Sequence, residues 1–226
     1  LEALSPDRVF TCESAAAHTL YEKTDPYHLP GPGGEINLEN CSFKDLGNGR
    51  VEVKGSKFVP TEKFYLKLEG AKCIGYRTIS IAGTHDPIMI ANIDKVLQQV
   101  KERINVLSGD NKRSDNLFFH VYGKDGVMGS LEPNPNVKSH ELCIVIEALC
   151  PTQDQANTLC SVARSTMLHY GYEGRVSTAG NLAFPFSPSD ITVGKVFEFS
   201  IYHLMDTKNE ILFKHRIEKY EQGTRK

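Results

Sequence analysis

The run from Arg77 to Pro87, Arg-Thr-Ile-Ser-Ile-Ala-Gly-Thr-His-Asp-Pro, combines a strand-like alternation with a glycine and a helix start. Free N–H groups at the positive end of a helix dipole suit an anion. Gly83 would let a ligand approach the backbone, and Thr84 and His85 would add donors. Arg77 alternates with Ile79 and Ile81, so it points to an apolar face and needs a counter-charge. Two readings stay open. Either a ligand supplies that charge, or an internal carboxylate does and Asp86 merely caps the helix.

A second candidate runs from His120 through Tyr122-Gly123-Lys124-Asp125-Gly126 to Gly129 and Glu132. Its glycines permit close backbone approach. Lys124 is a point charge for phosphate or carboxylate. His120 and Glu132 are the candidate proton-transfer groups. A plain two-turn loop with a solvated lysine is the alternative. The third candidate is the Pro- and Ser-rich stretch from Ser177 to Asp190, where Asn181 and Ser187 offer amide and hydroxyl groups to a pocket. No nucleophile elbow, zinc-protease helix or dinucleotide glycine pattern occurs. No local spacing argues for a metal, and none is expected.

The elements that must position these residues follow from the pattern. A helix is expected from Cys12 to Tyr21, capped by Thr11. Gly47-Asn48-Gly49 joins two short strands as a hairpin. Phe64, Leu66 and Leu68 alternate outward to Gly70-Ala71, which reads as a turn into a second strand over 72–82. Asp86 and Pro87 open a helix to Leu107, with Met89, Ile93, Val96, Val100, Ile104 and Leu107 as its apolar stripe. Strands are expected over 117–122 and 140–149, the second buried on both faces. Thr152-x-x-Gln155 opens another helix, with Gly171 as its C-terminal cap. Phe197, Phe199 and Ile201 mark a last strand.

Strand groups followed by a helix, twice over, predict an α+β fold. Its sheets should be antiparallel or mixed, against two main packed helices. The two halves match a split β-α-β, ferredoxin-like plan only coarsely. The expected domains are 1–110, a β-rich α+β subdomain ending in the long helix, and 116–205, a second α+β subdomain. A charged tail occupies 206–226. The 226 residues carry 26 basic and 28 acidic side chains, a net charge of −2. That balance lacks the basic footprint of a nucleic-acid binder. No apolar run reaches the roughly 20 residues of a spanning helix. The six cysteines form no C-x-x-C pair and read as reduced thiols of a cytoplasmic protein.

Four long phrases carry a resemblance: "AAHTLYEKTDPYHLPGPGGEINL" (16–38), "VKGSKFVPTEKFYLKLEGAKCIGYRTISIAG" (53–83), "VYGKDGVMGSLEP" (121–133) and "STAGNLAFPFSPSDITVGKVFEFSIYHLM" (177–205). In this order, over most of residues 8–205, the chain resembles the acyclic terpene utilisation (AtuA) family. The resemblance implies the C-terminal half of a longer pattern, whose N-terminal portion is a glycine-rich α/β segment. It implies a place in the breakdown of acyclic terpenoids such as citronellol and geraniol through acyl-CoA thioesters. The reading is a site for an anionic organic acid or acyl-CoA, shared with the N-terminal half of the family or a homologous subunit. Arg77, Gly83, Thr84, His85, Lys124, Asn181 and Ser187 are its binding candidates. No cofactor is expected beyond an acyl-CoA ligand, and a homo-oligomer is expected. The competing readings are a non-catalytic assembly module and a binding domain without turnover.

Overall fold

The structure is a computed structural model that describes residues 1–19, 25–134, 139–176, 180–207 and 216–219. Two compact units divide the chain: residues 1–70 with 199–226, and residues 71–198.

The first unit opens with helix α1 (Cys12–Thr19). Thr11 caps it as expected, its hydroxyl accepting from the Ser14 N–H at 3.1 Å. The expected end at Tyr21 lies outside the described residues. Strands β1 (His28–Gly31) and β2 (Gly34–Asn37) form an antiparallel hairpin where the sequence suggests only a loop. Strand β5 (Lys57–Pro60) pairs with the other side of β2. Pro30 and Pro60 thus fall on edge strands, where a missing N–H costs no ladder bond. Between these lie β3 (Ser42–Gly47) and β4 (Arg50–Lys54). They are joined by Asn48 at φ 53° and Gly49 at φ 67°, the left-handed pair that a tight hairpin demands.

Strand β6 (Tyr65–Thr84) runs unbroken for 20 residues. The expected turn at Gly70-Ala71 is absent. Gly70 instead allows close packing, since a Cβ there would lie 3.2 Å from Ile201. After β6 come α2 (Pro87–Ala91), α3 (Ile93–Ser108), β7 (Leu117–Tyr122), β8 (Leu142–Cys150), α4 (Gln153–His169) and β9 (Asp190–Asp206). The sheet order is β7-β8-β6-β9, with β8 antiparallel to both of its neighbours. The α+β class with antiparallel sheets is what the pattern of elements predicts.

One face of this sheet packs on α3 and α4. Met89, Ile93, Val96, Val100 and Ile104 meet Leu117, Leu142, Ile144 and Ile146, and Leu159 and Met167 of α4 complete the core. Two details of the helical stripe differ from expectation. The helix breaks at Asn92, whose side-chain amide donates to the Ile88 carbonyl at 2.9 Å and competes with the helix ladder. Leu107 lies past the packed face and is 55% exposed. Thr152 does cap α4, accepting from the Gln155 N–H. The C-terminal cap is Tyr170 rather than Gly171. Strand β8 is buried on one face only. Cys143 is exposed, and Val145 and Glu147 are half-buried.

All six cysteines are free thiols, Cys150 and Cys160 buried and Cys73 and Cys143 exposed. Burial pushes the Cys160 thiol up to about 12. Among the described residues no helix is long and apolar enough to cross a membrane.

Candidate functional site

Strand alternation makes the second unit's sheet two-faced. Even-numbered residues of β6 and β8 enter the helical core, and their odd-numbered neighbours share the open face. Register then sets the rows on that face. Tyr122, Cys143 and Gly83 form one row, His120, Val145 and Ile81 the next, and Phe118, Glu147 and Ile79 the third.

Glu147 is the hub of this face. The Arg77 Nε donates to Glu147 Oε1 at 2.6 Å, and the His120 Nε2 donates to Oε2 at 2.7 Å. The carboxylate is 13% exposed. Burial pushes its pKa up, but the hydrogen bonds and charges of His120 and Arg77 outweigh that and hold it below the usual carboxylate value. Of the two readings of Arg77, the internal counter-charge is the one the fold adopts. His120 is paired with Glu147, not with Glu132. The Glu132 side chain accepts from the Asn134 backbone and closes its own turn. Glu147 was not among the candidates, although it is the one charge in an apolar strand and falls on Arg77's side of the alternation.

Next to this network, at the end of the sheet, lies a cleft of about 620 Å³. Its apolar walls include Ile81, Leu142, Phe184 and Pro185, and its polar groups include Thr84, His85, Tyr122, Glu141 and Cys143. That volume falls within the roughly 300–1,000 Å³ typical of small-molecule sites. Two sequence candidates, the helix start and the third loop, meet here. Ala183 exchanges both backbone hydrogen bonds with Gly83, each 2.8 Å, and brings Phe184 and Pro185 to the wall. The same exchange occupies the Gly83 N–H. Thr84 is buried, its hydroxyl reaching the Met89 sulfur at 3.4 Å. His85 is exposed in the cleft.

The anion-ready helix start is already filled by the chain itself. Asp86 Oδ1 accepts from the Ile88 N–H at 2.8 Å, and its other oxygen accepts from the Tyr172 hydroxyl. Tyr172 is the main cause holding the Asp86 carboxyl below its ordinary value. Burial, then the Asp86 charge and hydrogen bond, push the Tyr172 phenol up to about 12. Lys124 is spoken for as well. It bridges Asp94 and Asp125, and although burial lowers its pKa, these carboxylates raise it overall. Asn181 ties its loop to α4, its amide donating to the Tyr170 carbonyl at 2.8 Å. Ser187 is exposed, outside the cleft lining. Ser177 and its next two neighbours lie outside the described residues. Among the described residues no three metal-ligating side chains cluster.

The molecule is thus an α+β protein with an apolar cleft where strand ends meet the start of a helix. Comparison with protein families assigns it further: residues 6–186 match the model of the acyclic terpene utilisation family protein AtuA. The match covers most of the chain, which belongs to that family. Membership connects it with acyclic terpene utilisation. Comparison with curated proteins gives no match, and neither does comparison with solved structures.

Proposed function

We propose that the chain serves acyclic terpenoid breakdown by holding an anionic organic acid, or its acyl-CoA thioester, in the cleft of the second unit. The observation that carries this reading is the pairing of apolar walls with a few convergent polar groups. Ile81, Phe184 and Pro185 suit a branched hydrocarbon chain, and His85 stands where its head group would sit. Arg77 and Lys124 are neutralised by the chain's own carboxylates. The counter-charge for an anionic ligand therefore falls to a partner, either the N-terminal half of the family or a homologous subunit.

The test is an NMR titration of the whole chain with a methyl-branched, acyclic ten-carbon acid and, separately, with its CoA thioester. Saturable shifts confined to residues 81–85, 122–123, 141–143 and 183–185 are expected. Absence of saturation with both probes, or shifts mapping elsewhere, would overturn the reading.

The competing reading, an assembly module, has one observation in its favour. Phe118 is 42% exposed on the open sheet face, beside the half-buried Ile79, Ile81 and Val145. A concentration-dependent dimer that dissociates on Phe118→Glu, with no ligand response, would favour it.

A further inference from the structure

We infer that Cys143 is a nucleophile for activated acyl groups, with His85 as its base. Three observations meet at this point. Cys143 is exposed on the open face of β8, a free thiol in the wall of the cleft. The residue across from it on β6 is Gly83, where a Cβ would have no neighbour closer than 3.9 Å. The space over the thiol is therefore open to a ligand. His85 lies just past the end of β6, two residues on from Gly83. His85 and Cys143 are exposed and line the one cleft.

A thiol and an imidazole lining one apolar pocket are the nucleophile and the base that cysteine acyl transfer uses. His85 and Cys143 share no hydrogen bond, and both are exposed. Such bonds commonly tighten only when substrate binds. Cys150 and Cys160 cannot take this part, being buried in the core. Cys73 is exposed but lies outside the cleft lining, its thiol turned to the Gly75 carbonyl.

The step balances without any added oxidant or reductant. The Cys143 sulfur attacks the carbonyl carbon of an acyl thioester as His85 takes the thiol proton. The bond from that carbon to the leaving sulfur then breaks, and His85 returns the proton to the departing thiolate. The acyl group ends on Cys143 and a free thiol is released. The thioester as substrate rests on the function proposed above. The reactivity of the thiol does not.

The two are separated by two probes on the whole chain. Iodoacetamide with peptide mass spectrometry reads the thiol alone. Cys143 is expected to be alkylated at least tenfold faster than Cys73, and His85→Gln is expected to remove that difference. A Cys143 rate equal to that of Cys73, or one unchanged by His85→Gln, overturns the inference whatever the ligand. The branched acyl-CoA then reads the transfer. Intact mass should rise by one acyl group in the wild type and stay unshifted in Cys143→Ser. Binding of the acid without any acyl adduct sinks the acyl-transfer step and leaves the binding reading standing.

Discussion

The two faces of the second unit's sheet are made from the same strands and have opposite chemistry. The helix-side face buries Ile144, Ile146, Leu117 and Leu142 at 3% exposure or less. The open face, one residue along in each strand, carries Arg77, His120, Glu147, Tyr122 and Cys143. A fold needs the first face to be apolar and closely packed, because hydrophobic burial dominates stability. Nothing in packing requires an ion network or an exposed thiol on the second. The contrast sets close apolar packing on one face against an ion network and the proposed ligand cleft on the other.

Substitutions at adjacent residues of β8 sharpen this contrast most. Ile146→Ala removes a fully buried side chain and should cost about 2–5 kcal/mol, read as a lower urea midpoint. Val145→Ala, one residue away on the open face, should cost about 1 kcal/mol or less. Equal losses at both positions would erase the distinction between the faces.

Glu147→Gln comes next. It leaves Arg77 and His120 without their shared charge, and a loss of roughly 1–3 kcal/mol is expected. The pH dependence follows from the depressed pKa of Glu147, which Arg77 and His120 face. Its stabilisation is fully present above the ordinary carboxylate pKa and disappears as pH falls through the lower folded value. Wild type and Glu147→Gln should therefore converge in stability as the solution is acidified through that window. A gap that stays constant there would show that the network is not titrating.

Asp86→Ala removes a helix cap and the Tyr172 contact and should cost about 1 kcal/mol in the same urea assay. Smallest of all, Leu107→Ala on the exposed flank of α3 should stay within about 0.5 kcal/mol of wild type.

What was legible in the sequence tracks the range of the forces involved. Local signals held: the Asn48-Gly49 hairpin, the caps at Thr11, Asp86 and Thr152, and the stripe from Met89 to Ile104 all act over a few residues. Gly70 misled because a glycine in a strand serves a close approach as readily as a turn. The helix break at Asn92 was hidden in one side-chain amide. The site was half legible. Arg77 and His120 were singled out and do share a cluster, and Gly83, Thr84 and His85 do line a cleft. Their partners were not, because Glu147 lies 70 residues from Arg77 and 27 from His120. Only the register of β6, β7 and β8 joins them. Cys143 read as a core thiol because its strand looked apolar throughout. Which face of that strand is open depends on where α3 and α4 pack.

The most direct measurement is Gly83→Phe, assayed in parallel by urea unfolding and by titration with the branched ten-carbon acid. A Cβ at Gly83 meets no atom closer than 3.9 Å, so the ring enters the cleft without disturbing the core. The expected result is an unchanged urea midpoint with binding abolished. Binding as tight as wild type, or a midpoint lowered as far as by Ile146→Ala, would contradict the division of labour between the two faces.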